Sequence, residues 1–222
     1  MTLALGVLVS GTGTNLGAVL DAIAKRTLDA EVRVVISNVP GALALERARA
    51  AGVPAVVVDH KAFAARADFD AAIVAELQRH GVTHVFLAGF MRIVTKVLLD
   101  AFPSRVINVH PALLPAFPGV DGQGQALRYG ARVAGCTVHF VDEGTDTGPI
   151  LAQAVVPIWD DDDLAAVKRR ILASEHHLVV TALDYVARGL VALEPTPGER
   201  TRVRLRGVPG AFLGTTPMPR GD

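Results

Sequence analysis

Short runs of aliphatic and β-branched residues alternate with alanine-rich stretches through the first half of this chain. The pattern predicts strands at residues 3–10, 32–37, 55–59, 84–88 and 106–110. Helices are predicted between them, at residues 16–24, 42–51, 69–80 and 95–101. Apolar strands separated by single helices pair in parallel, and helices cover both faces of their sheet. The first half therefore predicts a Rossmann-like α/β fold, with ligands at the carboxyl ends of the strands.

The second half of the chain has a different pattern of strands and helices. Residues 111–134 are rich in proline and glycine and contain one predicted short helix, at 125–129. Two further strands are predicted at 135–141 and 149–157, and a long helix from about 164 to 187. We expect a mostly parallel central sheet with flanking helices over residues 1–190. Residues 191–222 are predicted to form an edge strand and a loose tail.

Composition excludes several classes of protein. Half of the 222 residues are hydrophobic, which excludes a disordered chain, and the formal net charge of zero argues against a nucleic-acid binder. No apolar run is long enough to span a membrane, and the N-terminus predicts a first strand rather than a signal peptide. A single cysteine cannot form an internal disulfide. We therefore expect a globular cytoplasmic protein.

The loop after the first strand, residues 10–16 (Ser-Gly-Thr-Gly-Thr-Asn-Leu), opens the first helix. Free backbone N–H groups and the helix dipole suit such a loop to phosphate, although a capped strand–helix turn without a ligand has the same residues. A dinucleotide fingerprint needs a third glycine where Leu16 stands, and an acidic residue where the second strand ends in Ser37 and Asn38. No Gly-Lys-Ser/Thr follows the loop, which excludes a Walker motif. A small phosphorylated ligand fits best.

Asn108 and His110 are two residues apart on the fifth strand, so their side chains share a face, and Pro111 ends the strand. A carboxamide can donate to a developing oxyanion, and an imidazole can move a proton near neutral pH. Such a pair is more often structural than catalytic when judged on local sequence alone. A carboxylate to orient the histidine is expected from the 142–148 loop, where Asp146 is the candidate and Asp142 and Glu143 stay open.

Other polar clusters do not have the spacing of known sites. The acidic run at 160–163 lacks the spacing of a calcium loop, and the Glu-His-His sequence at 175–177 does not match a zinc motif. We therefore predict no metal ion.

Four segments carry a resemblance to a known family. They are residues 10–16, 87–93 (Leu-Ala-Gly-Phe-Met-Arg-Ile), 108–115 (Asn-Val-His-Pro-Ala-Leu-Leu-Pro) and 135–150. In this order they resemble the phosphoribosylglycinamide formyltransferases, folate-dependent enzymes of purine synthesis, over about residues 3–190. The 108–115 block is shared with other folate-dependent formyl-transfer and formyl-hydrolysis enzymes, whereas the 10–16 loop marks the narrower family.

The resemblance implies a role for each matching residue. Gly13, Thr14 and Asn15 would hold the phosphate of glycinamide ribonucleotide, and Glu175 would contact its ribose. The folate would be bound by a further set, namely Arg66, Met91, Arg92, Ile93, Val94 and Asn108. The catalytic trio would be Asn108, His110 and Asp146. No role is implied for the variable segment at about 119–125.

The implied reaction is formyl transfer from the co-substrate 10-formyltetrahydrofolate to the amine of the ribonucleotide. In the implied formyltransferase domain, the phosphate-binding half spans about 1–100 and the catalytic and folate half about 101–190. No metal, nucleic acid or membrane is implied, and a homodimer stays open.

Three alternatives share this scaffold. They are a formyltetrahydrofolate hydrolase, a methionyl-tRNA formyltransferase and a catalytically silent nucleotide-binding regulator. A hydrolase would be expected to carry an N-terminal regulatory domain, whereas this chain begins on the first strand. A tRNA enzyme would need more residues after about 190 than the chain has. The presence of the whole trio argues against a silent regulator.

Overall fold

The structure, a computed structural model, describes residues 2–195, 198 and 200–208. Its strands are β1 (Leu3–Val9), β2 (Ala30–Ser37), β3 (Ala55–Val57), β4 (His84–Leu87), β5 (Val106–His110), β6 (Val133–Phe140), β7 (Ile150–Pro157), β8 (Val191–Glu194) and β9 (Arg202–Leu205). Its α-helices are α1 (Thr14–Ala24), α2 (Leu43–Ala50), α3 (Arg66–Arg79), α4 (Lys96–Ala101), α5 (Gly122–Tyr129) and α6 (Leu164–Ala187).

Strands β1 to β7 form one sheet in the order β3-β2-β1-β4-β5-β6-β7. The five strands of the first half pair in parallel, and β6 and β7 are added in antiparallel orientation. Helices flank this sheet, and the predicted α/β fold with a mostly parallel central sheet is confirmed. The parallel half positions the site, because it brings the carboxyl ends of its strands to one edge.

Each face of the sheet is buried in its own hydrophobic core. In β1, Leu5, Val7 and Val9 belong to one core, and Leu8 points to the other. The first core includes residues of α1 and α6, and the second those of α3 and α4. Burial on both faces explains why β1 is a continuous apolar run rather than an alternating one.

Several predicted bounds differ from the structure by two or three residues, and two of the differences have a clear origin in packing. The fifth helix begins at Gly122 rather than at 125, because buried glycines of its first turn allow close packing that outweighs their low helix propensity. The predicted edge strand is β9, but it pairs with β8 in a separate two-stranded sheet instead of extending the main one. Side chains alternate between the two faces of this strand pair. One face packs against the first core, and this packing explains the pairing; its residues are Val191, Leu193, Val203 and Leu205.

The structure describes only part of the segment for which an edge strand and a loose tail are predicted. The predicted loose tail falls largely on residues 209–222, which lie outside the described residues. The domain boundary near residue 190 stays a prediction. Among the residues described, none of the helices combines the length and the apolar character that crossing a membrane requires.

Gly135 in β6 provides a test of this packing. A β-carbon there would overlap the carbonyl oxygen of Ala154 in β7 and lie 2.7 Å from Leu113 Cδ2. We expect Gly135→Ala to lower the free energy of unfolding by about 3 kcal/mol, because backbone cannot move aside as a flexible side chain can. Urea denaturation measures the change. Gly11→Ala, where a β-carbon meets open space, is the control, and equal urea midpoints for the two variants would contradict the packing.

Candidate active site

The carboxyl ends of β1, β2, β4 and β5 meet at one edge of the sheet, because these strands are parallel. Ser10 follows β1, Asn38 follows β2, and the 89–95 segment follows β4. Strand β5 carries Asn108 and ends on His110. A ligand at this edge can therefore contact the loops that follow several strands.

His110 lies between two oxygen acceptors. Its side chain is 5% exposed, and its Nδ1 lies 3.4 Å from Oδ2 of Asp146. Its Nε2 lies 2.9 Å from the carbonyl oxygen of Phe117. A protonated imidazole has an N–H on each ring nitrogen and can donate to both oxygens at once. The two acceptors on opposite sides of the ring therefore hold the imidazole in one orientation.

Asp146 is the carboxylate of the 142–148 loop that faces this histidine. Its Oδ2 also accepts a hydrogen bond from the backbone N–H of Gly119, at 2.7 Å. Its backbone is in the left-handed region, with φ at 54°, which Asp and Asn tolerate better than most residues. The carboxylate is thus fixed by backbone geometry and by a second loop.

The other two acidic residues of this loop face elsewhere. Oδ1 of Asp142 accepts from the backbone N–H of Gly144, at 3.1 Å, and from the hydroxyl of Thr147, at 2.6 Å. The Glu143 side chain is exposed, and its nearest cation is Lys96. Of the three carboxylates that spacing alone left open, Asp146 is the one beside the histidine.

His139 is a site residue that the sequence left without a role. It lies on β6 directly opposite Asn108, and it is buried. Its Nδ1 lies 2.8 Å from the carbonyl oxygen of Phe140, and its Nε2 lies 3.1 Å from Nδ2 of Asn108. Burial lowers the pKa of His139, so the neutral ring donates from Nδ1 and accepts from the Asn108 amide at Nε2. Antiparallel pairing of the two motif strands is the signal that could have found it.

Two residues of α2 donate hydrogen bonds to the candidate phosphate loop, residues 10–16. The backbone N–H of Ala44 donates to the Gly11 carbonyl at 3.1 Å, and Arg47 Nε donates to the Thr12 carbonyl at 2.8 Å. Gly13 has a φ of 68°, and a β-carbon on it would lie 2.6 Å from that of Ala44. The sequence analysis suggested that a glycine at position 13 lets a phosphate approach the backbone closely. In the structure, the close contact between this residue and α2 is a separate reason for a glycine here.

Asn15 and Glu175 meet beneath this loop, although they are 160 residues apart in the chain. Both are buried, and Asn15 Nδ2 donates to Oε2 of Glu175 at 2.9 Å. Burial raises the pKa of Glu175, and the Asn15 hydrogen bond opposes the rise. Oδ1 of Asn15 is buried and has no hydrogen-bond partner within the described part of the chain. The pair joins the start of α1 to the middle of α6.

The candidate folate residues lie mainly in the segment after β4. Met91 and Ile93 are 71% and 60% exposed, whereas Arg92 and Val94 are half-buried. Arg66 is the first residue of α3 and is exposed. Large apolar side chains exposed together beside the strand that carries Asn108 and His110 are typical of a surface that a ligand covers.

Comparison with known proteins identifies the family. A family model described as formyl transferase matches residues 4–183. The phosphoribosylglycinamide formyltransferase of Bacillus subtilis is 42% identical over 170 residues, which cover 77% of this chain and 87% of that protein. The chain belongs to the phosphoribosylglycinamide formyltransferase family. A crystal structure of glycinamide ribonucleotide transformylase 1 from Symbiobacterium toebii matches with a TM-score of 0.89 at 48% identity, over 92% of this chain and 94% of that one.

Members of this formyltransferase family also match as parts of longer proteins. The trifunctional purine biosynthetic protein adenosine-3 of Drosophila melanogaster is 45% identical over 191 residues. The match covers 85% of this chain but 14% of that protein, so the chain spans a small part of such relatives. In the residues described, no group of three or more His, Cys, Asp or Glu side chains could hold a metal ion.

For this formyltransferase-family chain, we expect Glu175→Gln to raise the free energy of unfolding by about 1 kcal/mol at pH 7, because the new amide can donate to Asn15 Oδ1. The pKa of Glu175 is raised in the folded state, so its stabilising contribution is full below the ordinary carboxyl range and is lost as pH rises through the raised value. The advantage of the variant should therefore shrink toward about pH 4.

Thermal unfolding at both pH values measures this difference. Glu46→Gln, an exposed change of the same charge, is the control and should leave the unfolding temperature unchanged. A Glu175→Gln protein that is less stable than the wild type at pH 7 would contradict the analysis.

Proposed function

We propose that this chain transfers the formyl group of 10-formyltetrahydrofolate to the amine of 5'-phosphoribosylglycinamide. The observation that carries the proposal is His110, held between the Phe117 carbonyl and the Asp146 carboxylate beside Asn108. Family membership supports the same reaction. The products are the formylated ribonucleotide and tetrahydrofolate.

In the proposed mechanism, the amine attacks the formyl carbon and forms a tetrahedral intermediate with an oxyanion. The second Nδ2 proton of Asn108, left over after the bond to His139, donates to this oxyanion. The protonated ring of His110, whose two N–H groups face Phe117 and Asp146, stabilises the oxyanion by its positive charge. Asp146 stabilises the imidazolium by its opposite charge. Collapse of the intermediate breaks the bond to N10 of the folate, and the proton lost by the amine reaches that nitrogen.

The nucleotide binds, in this proposal, at the start of α1. The backbone N–H groups of Gly13, Thr14 and Asn15 face the phosphate, where the helix dipole adds to their attraction. The side chain of Asn15 already donates to Glu175, so the main chain makes the phosphate contacts. Glu175 contacts the ribose hydroxyls.

The folate binds, in this proposal, against the segment after β4. Met91, Ile93 and Val94 line the folate pocket, and main-chain groups of the segment meet the polar edge of the pterin, while Arg66 and Arg92 attract the carboxylates of the donor. Holding both substrates in line supplies catalysis by itself, on the order of 7–11 kcal/mol in the best cases. We place the reaction in the cytoplasm, where the buried thiol of Cys136 stays reduced.

An assay of the purified protein with 10-formyltetrahydrofolate, with and without the ribonucleotide, tests the proposal. We expect tetrahydrofolate only when the ribonucleotide is present, because its amine is the acceptor. Equal release without the nucleotide would instead identify a hydrolase. No release in either case would identify a silent nucleotide-binding protein.

The role of Asp146 can be tested separately. Asp146→Asn keeps an acceptor for the N–H of Gly119 and suits the left-handed backbone, but it removes the charge beside His110. We expect kcat to fall by roughly 10²- to 10⁴-fold, the usual contribution of a positioned acid–base group. The KM for the nucleotide should change little, because the phosphate is held at the start of α1.

Glu143→Gln is the matched control, because it makes the same charge change at an exposed position of the same loop. Asp142→Asn is a poorer control, because Asp142 shapes the loop through Gly144 and Thr147. A loss of less than about threefold for Asp146→Asn, together with a large loss for Glu143→Gln, would reassign the carboxylate.

A further inference from the structure

Residues 91–95 follow β4 and include four of the six candidate folate residues. Side chains from other elements hold this segment at both ends. At one end, the backbone N–H of Met91 donates to Oγ of Ser10, at 2.8 Å. At the other end, the backbone N–H of Thr95 donates to the carboxylate of Asp70 on α3. Both acceptors are far away in sequence, so the shape of the 91–95 segment depends on tertiary contacts rather than on its own residues.

Ser10 is oriented for this contact by a chain of polar groups across the strand ends. Its hydroxyl donates to Oδ1 of the buried Asn38, at 2.6 Å, which leaves an oxygen lone pair for the N–H of Met91. Nδ2 of Asn38 lies 3.2 Å from Nδ1 of His60. The hydroxyl therefore links the end of β1, where the phosphate loop begins, to the segment after β4.

Asp70 is 1% exposed, an unusual position for a carboxylate. Burial raises its pKa, while the hydrogen bond from Thr95 and the charge of Arg92 oppose the rise. A buried carboxylate with so few partners costs stability compared with an apolar side chain. The carboxylate accepts the backbone N–H of Thr95 at the start of α4, and this contact gives the buried residue a structural role.

Between these two anchors, the 91–95 segment exposes the side chains of Met91 and Ile93, whereas Val94 is half-buried and packs against the second core. Met91 and Ile93 are the most exposed apolar side chains there, so core packing does not fix their positions. The backbone anchors therefore determine where these side chains meet a ligand.

We propose that Ser10 and Asp70 are positioning residues that hold the 91–95 segment in the conformation that binds the folate. The inference rests on the proposed function for the identity of the ligand. The conformation of the segment itself depends only on the contacts described above. Neither side chain touches a reacting atom, so each acts through the backbone of the segment.

The experiment compares Ser10→Ala and Asp70→Ala with the wild-type protein. In each variant we expect the KM for 10-formyltetrahydrofolate to rise about tenfold, as the loss of one buried hydrogen bond predicts. The KM for the nucleotide and kcat should stay within about threefold, because the trio and the start of α1 are unchanged. A general loss of folding would change all three constants together.

Two further variants separate position from charge. Asp70→Asn keeps an oxygen acceptor for the N–H of Thr95 and should restore most of the folate KM. Asp68→Ala, an exposed change of the same charge on the same helix, should leave it unchanged. If Asp70→Asn raises the KM for 10-formyltetrahydrofolate as much as Asp70→Ala does, the role of the hydrogen bond is overturned.

Hydrogen–deuterium exchange of a peptide covering residues 90–96 tests the conformation without any substrate. We expect the amides of Met91 and Thr95 to exchange about tenfold faster in the alanine variants, because each loses its acceptor. Unchanged exchange overturns the inference even if the wild-type enzyme proves inactive. Faster exchange with an inactive wild-type enzyme would confirm the anchoring and refute the proposed function.

Discussion

The contact between His110 and the Asp146 carboxylate is the interaction on which the rest of the site depends. The His110 ring is buried, and the Asp146 carboxylate lies 3.4 Å from its Nδ1. The loop between β6 and β7 supplies this carboxylate, and β6 is antiparallel to β5. The change from parallel to antiparallel strands beside β5 is therefore what completes a site on an otherwise ordinary parallel sheet.

The same pairing also orients the carboxamide. His139 stands opposite Asn108, and burial keeps its ring neutral, so it can accept one amide proton and leave the other for the role that the proposed mechanism gives it. His139 thus holds the Asn108 amide, while Asp146 and the Phe117 carbonyl hold the His110 ring. This arrangement keeps donors preorganised, which is where electrostatic catalysis gains most of its effect.

The fold could largely be predicted from the sequence, because its signals are local. The strands of the parallel half are apolar runs, and each helix between them repeats its own apolar pattern. Beyond bounds that shifted by two or three residues, packing decided the start of α5 at Gly122 and the separate pairing of β9 with β8. Both depend on packing against distant residues, which propensity does not contain.

By itself, the sequence determined the shared face of Asn108 and His110 and the glycine loop at the start of α1, because two-residue spacing and turn chemistry are local properties. Only the tertiary structure decided which acidic residue faces His110, and that Glu175 lies against Asn15. These contacts join residues separated by 36 and 160 positions. Strand order and helix packing create them, so no local pattern could have specified them.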